Sequence, residues 1–160
     1  MAIYMEYEDV PGQATTENYK TWITLGSMQF GVGRGISTPT GSAANREAST
    51  ASVSECVVTK VLDDASLKMW EHSLVETKGK KVAIVVTSTS AGDENEIFRV
   101  ELTNTLISGY SLSTGGDRPQ ESISLNFTKM FYKFVPQAEE GSDASGGASN
   151  TYDIATAKLG

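Results

Sequence analysis

At 160 residues the chain can bury roughly 70% of its unfolded surface, enough for a single domain over 1–160 with a sizeable core. A net charge of −7 without clustered Lys or Arg excludes recognition of nucleic acid through its phosphates. One cysteine, Cys56, and one histidine, His72, leave no intramolecular disulfide, no cysteine-cluster metal site and little triad chemistry. No apolar run approaches the ~18 residues of a membrane-spanning helix, and no basic stretch leads into an apolar one at the start. Synthesis and folding in the cytoplasm are expected, with any export by a route that reads no N-terminal leader.

In chain order, Ile3, Met5 and Tyr7 alternate with Tyr4, Glu6 and Glu8, which predicts a strand with Ile3, Met5 and Tyr7 buried, ended at Pro11-Gly12. A second strand runs through Trp22, Ile23 and Leu25; its apolar phase changes at Gly26 and continues as Met28, Phe30 and Val32. Residues 31–52 are mostly Gly, Ser, Thr and Ala, a long loop of the kind that is either functional or disordered, with an interaction role expected at least as much as plain disorder. Val53, Val57, Val58 and Val61 restore a strand. Asp63, Asp64 and Ser66 offer capping oxygens for a helix whose Leu67, Trp70 and Leu74 form an apolar stripe, with His72 off it and Gly79 as its left-handed stop.

Residues 81–89 are apolar on both faces, Val82, Ile84 and Val86 on one and Ala83 and Val85 on the other. Such a strand is either covered on both sides or set against a neighbouring subunit. Residues 97–137 form a long bent hairpin. Phe98, Val100 and Leu102 mark its first arm, and Thr114-Gly-Gly-Asp-Arg-Pro-Gln-Glu121 its turn. Ile123, Leu125 and Phe127, then out of phase Met130, Tyr132 and Phe134, mark the second arm, so a bend is expected near Thr128 and Lys129. Residues 138–150 read as a flexible linker before a short last strand at Tyr152 and Ile154.

Candidate chemistry is sparse. Gly31-Val-Gly-Arg-Gly lacks the following helix and acidic residue of a dinucleotide fingerprint, and no Walker Lys-Ser/Thr exists. Cys56 among valines reads as a small core residue. Asp9, Asp63, Asp64, Asp93, Glu94 and Asp117 sit near turns and a helix start, where solvation and capping explain them. No catalytic residue, cofactor or metal is expected.

Leu106-Ile-Ser-Gly-Tyr-Ser, Gly115-Gly-Asp-Arg-Pro-Gln-Glu-Ser-Ile, Leu125-Asn-Phe and Phe134-Val-Pro-Gln resemble the closing half of the Hcp family, the hemolysin-coregulated proteins of bacterial type VI secretion. The opening strand, Trp22-Ile, the Gly-rich loop, Thr59-Lys-Val-Leu-Asp-Asp-Ala-Ser-Leu and Tyr152-Asp-Ile extend the resemblance along the chain. It implies a two-sheet β-barrel with one lateral α-helix and an extended loop over 37–50. Six copies would close into a ring, and rings would stack into an inner tube.

The implied partners are further copies of the chain, sheath subunits, the baseplate, a VgrG-type spike and secreted effectors, with neither nucleic acid nor membrane insertion. On that frame the loop residues Ile36, Ser37, Thr38, Pro39, Thr40, Arg46 and Glu47 are expected to reach the next ring. Val82, Ile84 and Val86 are expected to form the lateral contact. The competing readings are a tail-tube protein of a phage or phage-derived contractile injection particle, a carbohydrate- or peptide-binding β-barrel, and an enzyme.

Overall fold

The computed structural model describes residues 1–41, 46–90, 92–136 and 147–160. Strands β1 (Ala2–Tyr7), β2 (Ile23–Leu25), β3 (Ser27–Gln29), β4 (Val32–Gly33), β5 (Ile36–Ser37), β6 (Glu47–Ala48), β7 (Ser52–Val53) and β8 (Cys56–Val61) precede the helix α1 (Ser66–Val75). Strands β9 (Lys80–Ser90), β10 (Asp93–Ser113), β11 (Gln120–Asn126), β12 (Lys129–Phe134), β13 (Ala148–Asp153) and β14 (Lys158–Leu159) follow it.

β10 organises the molecule because it is long enough to serve two layers. Its first half pairs with β9 and β12, its second half with β11. One layer therefore runs β2-β1-β9-β10-β12-β13-β14 and the other β10-β11-β8-β3, all antiparallel. The corner falls between Leu102 and Thr105, where the register shifts and Asn104 takes a positive φ of 55°. Asn is among the few residues that tolerate that region.

Both predicted phase flips are crossings between these layers. Gly26 separates β2, paired with β1, from β3, paired with β8. Phe127 and Thr128 separate β11 from β12, and the Thr128 N–H donates to the Thr103 carbonyl at 3.1 Å beside the same corner. A strand that changes sheets must present its other side to the shared core, and that is what the flipped alternation records.

The core lies between the layers and contains Met5, Tyr7, Ile23, Leu25, Cys56, Val58, Val82, Ile84, Val100, Leu102, Ile123, Leu125 and Met130. A second cluster covers the outer face of β1 and β9: Tyr4 and Val85 lie under Ala14, Tyr19 and Trp22, with Tyr4 and Tyr19 stacked at 4.9 Å. The doubly apolar strand is thus covered on both sides by its own chain.

Three expectations need correction. The class is mainly β, but the sheet does not close into a barrel: pairing ends on β14 in one direction and on β2 and β3 in the others. Of the expected linker 138–150, residues 138–146 lie outside the described residues, and its end is already strand, since β13 begins at Ala148. The last strand pair is β13 with β14, and Ile154 sits in the turn between them rather than in a strand.

Candidate assembly interface

The Gly- and Ser-rich segment is a ribbon rather than a loop. β4 pairs with β7 (Val32↔Val53, Gly33↔Ser52), and β5 with β6 (Ile36↔Ala48, Ser37↔Glu47). Serines complete the ladder where small side chains permit it. Ser54 Oγ accepts from the Gly31 N–H at 2.7 Å and Ser49 Oγ from the Gly35 N–H at 2.9 Å. Near the tip Arg46 Nε donates to Thr38 Oγ1 at 3.2 Å.

Every expected loop residue, Ile36, Ser37, Thr38, Pro39, Thr40, Arg46 and Glu47, is exposed on this arm; 42–45 lie outside the described residues. From Val32 to Ser37 the outgoing side of the arm spans about 17 Å at ~3.3 Å per residue. A lone two-stranded ribbon is marginal in water.

Residues expected at the lateral contact lie elsewhere than predicted. Val82 and Ile84 are buried in the chain's own core, Val86 is half-buried beside them, and β9 is flanked on both edges by β1 and β10. A strand with both edges paired has no ladder groups left for a neighbour, and of the three residues Val86 alone keeps partial exposure.

α1 turns its apolar stripe away from the core. Met69 and Ser66 face inward, and His72 is half-buried with its ring edge-on to Tyr7 at 5.8 Å. The stripe faces out: Leu67 is 65%, Trp70 46%, Leu74 63% and Val75 77% exposed. Burying one such side chain is worth about 1.5–3 kcal/mol, so a contiguous unburied row marks a contact surface.

What fixes the helix in this orientation is a polar cluster that hydropathy reading overlooked. Lys60 and Glu121 are direct cross-strand partners on β8 and β11, and both are fully buried. Lys60 Nζ bonds the Glu121 carboxylate, donates to Ser66 Oγ at 2.9 Å and reaches Asp63 Oδ1 at 2.8 Å. Ser66 Oγ donates to Glu121 at 2.8 Å, and the Tyr110 hydroxyl bonds its other oxygen. Asp63 Oδ1 accepts from the Ala65 N–H at 2.9 Å, the turn-forming role that acidic side chains play ahead of a helix.

Burial would raise the Glu121 carboxyl, but hydrogen bonds from Lys60, Tyr110 and Ser66 and the Lys60 charge outweigh it and hold it below its ordinary value of 4.5. Burial, then the bond to Glu121 and its charge, pushes Tyr110 up. The signal was present in the sequence: Lys60 follows Cys56 and Val58, and Glu121 precedes Ile123 and Leu125, at the inward phase of their strands.

Ser66 beside Lys60 has the spacing of a nucleophile and a base. Both are buried, and the hydroxyl is committed to Glu121, so no substrate carbonyl can approach. Burial drives the Cys56 thiol up to about 12, which suits packing. Among the described residues no cluster of His, Cys, Asp and Glu could hold a metal ion, and no helix is long and apolar enough to cross a membrane.

The family described as "Type VI secretion system effector, Hcp" matches the sequence over residues 4–134. No curated protein matches it significantly. Among solved structures, a type six secretion system protein shares 25% identity over 99% of both chains with a TM-score of 0.88. Hcp1 from Salmonella typhimurium shares 17% identity over 99% of this chain and 97% of that one, TM-score 0.79. A type VI secretion system effector from Yersinia pestis shares 22% over 95% and 99%, TM-score 0.76. With the family's sequence match spanning most of the chain and a fold shared almost end to end, this chain belongs to the Hcp family of type VI secretion.

Proposed function

We propose that residues 1–160 form one tube domain, the structural subunit of the type VI inner tube. Copies close into hexameric rings in the bacterial cytoplasm, and rings stack into a tube on the baseplate inside sheath subunits. Sheath contraction expels the tube behind a VgrG-type spike, with effectors in its lumen. The chain performs no catalysis in this role and needs no cofactor. The observation that supports this reading most is the arm built from β4 to β7, a ribbon that leaves the core and exposes its residues over 32–41. Such an element gains order by meeting another molecule, and head-to-tail contacts between identical chains build rings and filaments.

The test is negative-stain microscopy of the concentrated protein, intact and with residues 37–50 deleted. Rings are expected from both and long tubes from the intact chain. Tubes of normal length from the deletion variant would refute the arm's role, and monomers at every concentration would refute the tube subunit itself.

A further inference from the structure

We infer that the outward apolar face of α1 is the seat on which the arm of a second copy of this chain docks. The inference rests on the tube-subunit reading and adds the receiving surface, which that reading leaves open.

Strand register decides the direction of the arm. The β3–β8 ladder (Ser27↔Thr59, Met28↔Val58, Gln29↔Val57) continues outward into β4–β7 and then β5–β6. The partner sums shift by one at each junction, which places the extra residues on the returning side, so the outgoing strand keeps its alternation. Met28 and Phe30 pack against the core, and the same face carries on past the domain as Val32 and Ile36, 63% and 49% exposed. Beyond Val53, which still packs against the core opposite Val32, the arm continues as core-facing strand with no core beneath it.

The arm leaves β8 at Cys56, while α1 follows the other end of β8, after Val61. The six residues of β8 set these exits about 20 Å apart. A ribbon continuing the ladder away from Cys56 runs away from its own helix, so the occupant of the α1 face comes from another molecule. A donor and a receptor at opposite ends of one strand make a head-to-tail contact, which repeats from copy to copy without consuming itself.

Chemistry agrees on both sides. Val32 and Ile36 of the arm face Leu67, Trp70, Leu74 and Val75 of the helix, all exposed. Arg34 and Arg46 against Glu47 leave the arm with one net positive charge on a chain of net charge −7. On the receiving segment Asp63 is paired with Lys60 and Glu76 with Lys80, which leaves Asp64 and Glu71 against Lys68. A locally positive arm and a locally negative seat favour this pairing over arm with arm or helix with helix.

Disulfide trapping tests it. Ile36→Cys and Leu74→Cys replace exposed residues, and the native Cys56 is buried and stays silent. Chains carrying one substitution each are mixed, oxidised mildly and run on a non-reducing gel. The cross-linked heterodimer should exceed, by at least several-fold, that from a control pair of Ile36→Cys with Lys20→Cys, and the double variant should give a ladder of multimers. Yields no greater than the control overturn the docking.

Independently, Trp70→Glu with Leu74→Glu should leave rings intact and shorten tubes several-fold. Normal tubes from that variant overturn the seat on α1 while leaving the tube subunit standing. A wild-type chain that stays monomeric at every concentration overturns both.

Discussion

Lys60 and Glu121 show how one pair of side chains can set the placement of a whole element. The pair sits at facing positions of neighbouring strands and gathers Ser66, Asp63 and Tyr110 around it, so the first turn of α1 is bonded to the sheet before any apolar contact is counted. Removing one member leaves the other charged in the core. Lys60→Met is therefore expected to cost about 3–5 kcal/mol, read as a lower urea midpoint; an unchanged midpoint would show that the pair is dispensable. The pH dependence follows from the depressed Glu121 carboxyl. Its contribution is complete above the unfolded value near 4.5 and is lost as pH falls from there through the lower folded value. Between pH 5 and pH 3 the wild type should lose more stability than Glu121→Gln does, and equal losses would contradict the assignment.

At the scale of elements, close approach rather than handedness explains Gly79. The sequence reading made it a left-handed helix stop, yet α1 ends at Val75 with Glu76 extended, and Gly79 is not among the positive-φ glycines. A Cβ at Gly79 would lie 2.7 Å from the Asn104 Cα, at the corner where β10 changes layers. Gly79→Ala is expected to destabilise by about 1–3 kcal/mol through this overlap. Gly115→Ala, with nothing within 4 Å and no positive φ, serves as the neutral control. Thermal unfolding of the two variants side by side checks the claim, and equal midpoints would remove it. The flips at Gly26 and at Phe127–Thr128 were legible as bends because alternation reports which side of a strand meets the core. That the two bends serve the same pair of layers was not legible, since register between distant strands leaves no mark on either alone.

For the whole molecule, the burial of Ile84 changes what a substitution there reports. Ile84→Asp places a carboxylate among Met5, Val100 and the other core side chains, so it should abolish folding rather than dissociate rings. Soluble, folded monomers from that variant, seen by circular dichroism and gel filtration, would contradict this placement. The same logic leaves the side taken by the helix stripe open at the level of sequence. Periodicity shows that Leu67, Trp70 and Leu74 share a face, but a core and a partner surface demand the same residues.

By itself the sequence determined the strand-rich class, the resemblance to the Hcp family, the positions of the bends and the existence of an exceptional segment between β3 and β8. Each of these is local, written in alternation, composition or order along the chain. The tertiary structure alone decided that the segment is a paired arm, that the sheet stays open, that β9 belongs to the core and that α1 shows its apolar row to the outside. Those outcomes depend on which surfaces meet across the layers and, for α1, on Lys60 facing Glu121, two residues 61 apart in sequence.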